Sequence, residues 1–245
     1  MNPIVLIPAR MAARRLPGKP LADIAGEAMI VRVLRAAEAA GIGPVAVAAG
    51  DAAIAETVAG AGGRAVLTDP DLASGSDRIV AALAVLDPDG AHDVVVNLQG
   101  DMPFIEPAAL SACLAVLARD ASCDIATLVA HEASSADRAN PDVVKAILAL
   151  GSDGASGRAL YFTRSVLYGD GPVWRHIGLY AFRRHALNRF HAAAPSPLER
   201  REGLEQLRAL ELGLAIHAAI VPAAPVSVDT AADLEAARVL AESHP

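Results

Sequence analysis

Four basic side chains crowd one short loop of an acidic chain. Arg10, Arg14, Arg15 and Lys19 all lie in the stretch Pro8-Ala-Arg-Met-Ala-Ala-Arg-Arg-Leu-Pro-Gly-Lys-Pro20, whereas the 245 residues together carry a formal net charge of −7. Such a cluster suits a phosphate or another small anion, and a solvated basic loop is the plain alternative. Gly18 would permit an unusual backbone angle or a close approach to a ligand. The spacing is not GxxxxGK[ST], which excludes a Walker-type phosphate loop. Asp101, in Asn97-Leu-Gln-Gly-Asp101-Met-Pro103, directly follows an apolar run, where a carboxylate can bind a divalent cation or cap the next helix. Asp229, in Val226-Ser-Val-Asp229-Thr230, follows a short apolar run in the same way. The two acids could converge on one magnesium, an ion that takes one or two carboxylates together with substrate phosphates. Ser74-Gly-Ser-Asp-Arg78 offers hydroxyls and a guanidinium that could read a polar ring, or simply opens a helix with Ser74 or Ser76 as its cap.

These residues need elements to hold them. Apolar runs at Pro3–Pro8, Val45–Ala48, Arg64–Thr68, Asp93–Leu98 and Asp124–Ala130 read as strands. Helical spacing fills the gaps over Glu27–Ala40, Ala52–Ala61, Ser76–Leu86 and Pro107–Ala118. Strands apolar throughout are buried on both faces, so the pattern predicts an α/β fold with a mostly parallel, doubly wound sheet covered by helices on both faces. Ligands of such folds bind beyond the carboxyl ends of the strands, where the basic loop and Asp101 lie. The second half is less regular. Val143–Leu150 and Ala159–Phe162 read as paired strands around a turn at Gly151–Gly157, and Trp174–Phe182 as another strand, giving a smaller antiparallel and helical portion. Ser196-Pro-Leu-Glu199 opens a helix running to Leu212, and Thr230-Ala-Ala-Asp233 opens the last one. No linker is visible, so 1–245 reads as a single domain.

Composition excludes several classes. Apolar residues make up 53% of the chain, too many for disorder. The negative charge argues against nucleic acid as a partner. The charge-free stretch Leu212–Val228 is broken by Pro222 and Pro225 and is too short for a membrane span. The apolar run Ile4–Ile7 precedes the arginines, the reverse of a secretory signal, so the expected location is cytoplasmic with no membrane partner. Cys113 and Cys123, the only two cysteines, make neither a disulfide framework nor a four-ligand zinc site and read as buried fillers. His92, His131, His185, His191, His217 and His244 show no ligand spacing. His176 taken alone would read as a packed strand residue.

Taken together, PARMAARRLPGKPL, SGSDR, NLQGDMPFI, NPDVVK, LYFTRS, RHIGLYAFRR, SPLERREGLEQLR and VDTAADLEAAR resemble, in order and approximate spacing, the CMP-Kdo synthetase (3-deoxy-manno-octulosonate cytidylyltransferase) family. The resemblance runs from about Ile4 to Arg238. It implies a Rossmann-like nucleotidyltransferase fold and a magnesium-dependent reaction. In that reaction the anomeric hydroxyl of Kdo attacks the α-phosphorus of CTP, pyrophosphate leaves, and CMP-Kdo forms as a precursor of the lipopolysaccharide inner core.

The resemblance also implies roles. Arg10, Arg15 and Lys19 would hold the triphosphate beside Ala9. Ser74, Gly75, Ser76 and Arg78 would contact the cytosine side, with Gln99 near the nucleotide. Asp101 and Asp229 would hold Mg2+, and with Arg10 and Lys19 would carry the chemistry. Arg164, His176, Tyr180, Glu205 and Gln206 would shape the sugar-acid pocket. The chain would act as a homodimer. Two departures stand out. Ala13 replaces the Ser or Thr of the family loop, next to an unusual Arg14. Residues 165–173 form a shorter segment near the implied sugar site, which keeps 8-amino-Kdo or a nonulosonic acid open as alternative substrates. A non-catalytic nucleotide-binding regulator on the same fold would be expected to have lost Lys19, Asp101 or Asp229, and all three are present. Only Lys19 and Lys145 supply lysine among 21 basic residues, so a lysine amid arginines suggests a place where a guanidinium does not fit.

Overall fold

The computed structural model describes residues 1–13, 15–132, 135–167, 169 and 171–243. Arg14, two positions of the 165–173 segment (Tyr168 and Asp170) and His244 lie outside the described residues. The chain divides into two compact units, Met1–Leu110 with Pro225–Pro245, and Ser111–Ala224.

The first unit begins with β1 (Pro3–Ala9), buried at every position. A small hairpin of β2 (Asp23–Ile24) and β3 (Glu27–Ala28) follows the basic loop. Then come α1 (Met29–Ala39), β4 (Val45–Ala49), α2 (Ala52–Gly60), β5 (Ala65–Leu67), α3 (Gly75–Leu86) and β6 (Val94–Leu98). Helix α4 (Pro107–Arg119) begins in this unit. The strands run parallel in the order β5-β4-β1-β6. Successive strands step one way from β1 and then reverse to β6, which creates a crevice beyond the ends of β1 and β6. The helix expected from Glu27 starts at Met29 because the hairpin turns through Ala25 and Gly26, both at positive φ (52° and 82°).

The second unit contains β7 (Ile125–Glu132), α5 (Ser135–Ala139), β8 (Lys145–Leu150), β9 (Ser156–Thr163), β10 (Val173–Arg183), α6 (Arg184–Ala192), α7 (Pro197–Glu202), α8 (Gln206–Glu211) and β11 (Ile216–Val221). Its strands follow the order β10-β7-β11-β9-β8, and β8 pairs again with β10. Among the described residues of this unit, β7 and β11 run parallel and the other pairings are antiparallel. The single helix expected from Ser196 to Leu212 is two helices. Gly203, in the left-handed region (φ 66°), ends α7, and its N–H returns to the carbonyl of Glu199. Strand β11 occupies the charge-free stretch that periodicity alone left unassigned. The Ser196–Glu199 capping box forms as expected.

The chain then returns to the first unit with α9 (Ala231–Ser243). Leu234, Ala237 and Ala241 of α9 and the preceding Val228 pack with Ile24 and Met29 in one buried cluster. Thr230 and Asp233 cap the helix reciprocally, with Thr230 N–H to Asp233 Oδ2 at 2.8 Å and Asp233 N–H to Thr230 Oγ1 at 3.2 Å. No helix among the described residues is long and apolar enough to cross a membrane.

Candidate active site

A cavity of about 350 Å³ opens in the first unit beyond the ends of β1 and β6, in the size range of small-molecule sites. Ala9, Arg10, Lys19, Ser74, Gly75, Arg78, Gln99 and Asp101 all line it. Ala13 lines it too, presenting a methyl group to the cavity. Ser76 is buried and does not line the cavity.

Lys19 is the electrostatic centre. Its Nζ lies 3.0 Å from Asp101 Oδ2 and 3.1 Å from Asp229 Oδ1. Arg15 Nη2 reaches the other oxygen of Asp229 at 3.0 Å. Burial opposes the charge on Lys19, but the two carboxylates outweigh it and hold its pKa above the ordinary lysine value. The backbone brings these groups together. Gly18, at φ 74°, turns the loop so that Lys19 opens a single 3₁₀ turn, Lys19–Leu21, seated on the buried Pro20. Met11 anchors the same loop, its carbonyl accepting from Ala13 and Gly18 and its N–H donating to Asp51 Oδ2 at 2.8 Å. Asp51 was missed from sequence. Its signal was present, because Gly50-Asp51 follows β4 as Gly100-Asp101 follows β6.

Arg78 is 2% exposed and is gripped by its surroundings. Nη1 donates to Thr68 Oγ1 (2.7 Å) and Asp69 O (2.9 Å), and Nη2 to Pro70 O (3.2 Å). It therefore ties the 68–70 loop to the cavity wall. Gly50 makes room for it, since a β-carbon there would stand 2.7 Å from Nη1. Ser74 caps α3, accepting from the Asp77 N–H at 3.1 Å. Ser74 and Gly75 thus place the N-terminus of a twelve-residue helix at the cavity, a favourable position for an anion. Gln99 donates to Asn97 Oδ1 at 3.2 Å.

The remaining candidates belong to the second unit. A register shift in β10 falls between Ile177 and Tyr180, opposite Thr127 of β7. Thr127 Oγ1 donates to the carbonyls of Ile177 (3.2 Å) and Leu179 (2.9 Å), and lies 3.0 Å from His176 Nε2. The single hydroxyl proton has one acceptor at a time; when it goes to one of those carbonyls, the imidazole donates to Oγ1 through Nε2 and Nδ1 is an acceptor. Burial pushes the His176 pKa down to about 3, so the ring is neutral at ordinary pH. The ring sits 5.0 Å from Phe162 and 5.4 Å from Tyr180, centroid to centroid. Burial first, and then the Glu205 carboxylate, raise the pKa of the Tyr180 phenol. His176 and Tyr180 are therefore ring neighbours, and the Glu205 carboxylate lies close enough to act on the phenol. Gln206 is buried at the start of α8. Arg164 follows β9, its Nη1 donating to Pro141 O at 2.9 Å. Thr127 carried no motif and was missed. Cys113 and Cys123 are buried, with their thiol pKa values pushed up by burial, that of Cys123 to about 12.

The donor chemistry suits magnesium. Asp101 and Asp229 present hard carboxylate oxygens with side chains 24% and 38% exposed, and the Lys19 ammonium already lies between them as a stand-in cation. Among the described residues, no group of three or more His, Cys, Asp or Glu forms a site on protein ligands alone. An ion held here would complete its shell with substrate phosphates.

Comparison with known proteins shows the family. The cytidylyltransferase family model matches residues 4–216. A 3-deoxy-manno-octulosonate cytidylyltransferase from Rhodospirillum centenum is 59% identical over 98% of this chain and 93% of its own length. One from Rhodopseudomonas palustris is 61% identical over 96% of both. A solved structure of CMP:2-keto-3-deoxy-manno-octonic acid synthetase complexed with CTP superimposes with a TM-score of 0.92 at 35% identity, covering all of both chains. The 4-diphosphocytidyl-2C-methyl-D-erythritol synthase of Anaerococcus prevotii shares the fold alone, with a TM-score of 0.67 at 10% identity over 98% of both chains. With relatives this similar along nearly its whole length, the chain belongs to the 3-deoxy-manno-octulosonate cytidylyltransferase family.

Proposed function

We propose that this protein transfers CMP from CTP to 3-deoxy-manno-octulosonate, releasing pyrophosphate and forming CMP-Kdo. The observation that carries this reading is the Lys19 node. A lysine and two carboxylates from three distant chain segments meet at the mouth of a cavity lined by arginines and a helix N-terminus. In the reaction, the anomeric hydroxyl oxygen of the sugar forms a bond to the α-phosphorus while the bond to the β-phosphate oxygen breaks. No protein nucleophile is needed, so the chain contributes position and charge.

Arg10, Arg15 and Lys19 bind the triphosphate and offset the charge that gathers on pyrophosphate as it leaves. The backbone N–H groups at the start of α3 serve the same end. Arg78 supports the wall on the cytosine side, where Ser74 and Gln99 supply polar contacts. Asp101 and Asp229 would hold magnesium, which when bound neutralises phosphate oxygens and orients them. Arg164, His176, Tyr180, Glu205 and Gln206 bind the sugar acid, with the neutral His176 accepting from a sugar hydroxyl through Nδ1. The same reading takes the protein as a cytoplasmic homodimer.

The test is pyrophosphate release with CTP, Kdo and magnesium, each omitted in turn. UTP, GTP and ATP, and 8-amino-Kdo and a nonulosonic acid, serve as comparators. Release should require all three components and should favour CTP and Kdo. Equal turnover with UTP would contradict the cytosine-reading role of Ser74–Arg78.

A further inference from the structure

Lys145 is fully buried, yet its ammonium is completely provided for. Its three N–H donors meet three backbone carbonyls: Asn140 O at 2.8 Å, Val143 O at 3.0 Å and Arg164 O at 2.8 Å. A planar guanidinium cannot gather three acceptors around one point, which explains a lysine here in a chain that otherwise uses arginine. The arrangement bears on Arg164 from both ends. Lys145 holds the Arg164 carbonyl directly. It also holds the 140–143 turn on both sides of Pro141, whose carbonyl accepts from Arg164 Nη1 at 2.9 Å.

A second charged group closes the grip. Glu202, at the end of α7, has a side chain only 8% exposed. Its Oε2 accepts from the Arg164 N–H at 3.2 Å and from Thr163 Oγ1 at 3.1 Å. The peptide groups on either side of Arg164 are thus held by opposite charges, the N–H by a carboxylate and the C=O by an ammonium. In register, Lys145 pairs with Thr163 on one side and Arg175 on the other, so Arg164 and His176 each follow its cross-strand partners. The His176 N–H also donates to Val144 O at 2.9 Å.

We infer that Lys145 and Glu202 are positioning residues for the sugar-acid substrate, acting together to set Arg164 in advance for a carboxylate. This rests on the reading of Arg164 as a sugar-acid ligand. A guanidinium fixed before the substrate arrives loses less freedom on binding, and the geometry is held by charged groups that touch backbone rather than substrate.

The experiment compares Lys145→Met, Glu202→Ala, Glu202→Gln, Arg164→Ala and the double variant Lys145→Met/Arg164→Ala. KM for Kdo, KM for CTP and kcat are read separately. Arg164→Ala and Lys145→Met should each raise KM for Kdo at least tenfold and leave KM for CTP within twofold. The double variant should be no worse than Arg164→Ala alone, because Lys145 acts through Arg164. Glu202→Ala should follow Lys145→Met, and Glu202→Gln, which keeps an acceptor oxygen, should stay within threefold of wild type. If Lys145→Met does not fold, the Glu202 pair carries the same comparison. If Arg164→Ala raises KM for Kdo while neither Lys145→Met nor Glu202→Ala does, the positioning role is wrong. A Lys145→Met effect that multiplies with that of Arg164→Ala overturns it as well. An unchanged KM for Kdo in Arg164→Ala would remove Arg164 from the sugar site, and the positioning role would fall with it.

Discussion

The backbone N–H of Val228 donates to the carbonyl oxygen of Asp101 at 2.9 Å. This one bond joins the segment after β6 to the segment before α9 and sets the next residue, Asp229, beside Asp101. Val228 itself is locked in the apolar cluster with Ile24 and Met29, so the carboxylate pair rests on core packing rather than on a loop.

Asp101→Asn and Asp229→Asn should therefore each nearly abolish turnover and leave the melting temperature close to wild type. Each change removes a hard oxygen ligand without altering side-chain volume. The two losses should be strongly non-additive, because both act through one centre. Steady-state rates across a magnesium titration give the check. Near-normal activity of either variant at limiting magnesium would exclude that residue as a ligand.

Lys19→Arg should be severely impaired although the charge is kept. The ammonium lies about 3 Å from each of two carboxylates, and a guanidinium is a broad fork that cannot occupy that point. Loss of an electrostatic contact to a transferring phosphate costs ~3 kcal/mol, or roughly a hundredfold in rate. The comparison is kcat/KM for CTP in wild type, Lys19→Arg and Lys19→Ala. Wild-type efficiency in the arginine variant would show that only charge matters.

Gly50→Ala should damage the nucleotide side of the site. The new methyl would meet Arg78 Nη1 at 2.7 Å and Arg10 Cβ at 3.2 Å. Arg78 cannot swing aside freely, because three hydrogen bonds hold it. Overpacking of this kind destabilises by about 2 kcal/mol, or roughly 4–8 °C in a chain of this size. Thermal melts and KM for CTP should both move, whereas KM for Kdo should not.

His176→Gln should weaken use of the sugar acid more than use of CTP, and should leave the shape of the pH profile for Kdo unchanged between pH 5.5 and 8. With a folded pKa near 3, the imidazole does not titrate in that range. Its effect belongs to stability instead. The unfolded ring takes up a proton below about pH 6.5 and the folded ring does not. The stability tied to the neutral ring is thus complete above pH 6.5 and is lost progressively as the pH falls toward 3. A step near pH 6.5 in wild-type Kdo kinetics that vanishes in the variant would contradict the neutral assignment.

Glu199 and Arg208 form a buried two-pronged pair, with Nε to Oε2 at 2.7 Å and Nη2 to Oε1 at 2.6 Å. Burial would raise the Glu199 pKa, but the hydrogen bonds from Arg208 and the Ser196 N–H, together with the charges of Arg208 and Arg200, outweigh it and hold the pKa below the ordinary glutamate value. The stability it contributes is present above pH ~4.5 and lost as the pH falls through the lowered folded value. Glu199→Gln removes the two-pronged charge partner of the buried arginine, leaving the longer contact to Glu205 Oε1 at 3.8 Å, and should cost about 3 kcal/mol at pH 7. Urea midpoints at pH 7, 5, 4 and 3 should fall more steeply for wild type than for the variant.

Chemistry that sits at strand ends could be read from sequence, because a short buried strand followed by Gly-Asp or by a basic loop announces itself locally. Arg10, Lys19 and Asp101 were legible for that reason, as were the parallel strands and the Ser74, Ser196 and Thr230 caps. Residues that work through backbone contacts were not. Lys145 and Glu202 look like an ordinary strand lysine and a helix-end glutamate until Arg164 is seen between them. Thr127 acquires meaning only where β10 slips its register. Gly203 sits inside an otherwise helical spacing, and its left-handed turn depends on what Glu199 can accept. The roles of Arg164, Tyr180, Glu205 and Gln206 rested on resemblance, since no periodicity marks a sugar contact.

The scarcity of lysine has a practical consequence. Each unit holds one, and they differ completely in access: the Lys19 side chain is 16% exposed and Lys145 is sealed. Isotopic methylation of amines, carried out at alkaline pH because the carboxylates hold Lys19 protonated, should therefore mark Lys19 ahead of the sealed Lys145. In a magnetic resonance spectrum the folded protein would then show one side-chain signal, placed between the two carboxylates. Its shift would report the arrival of a nucleotide without any engineered label. A second side-chain signal would appear only in protein methylated under conditions that open the second unit, so paired samples follow substrate capture and local unfolding.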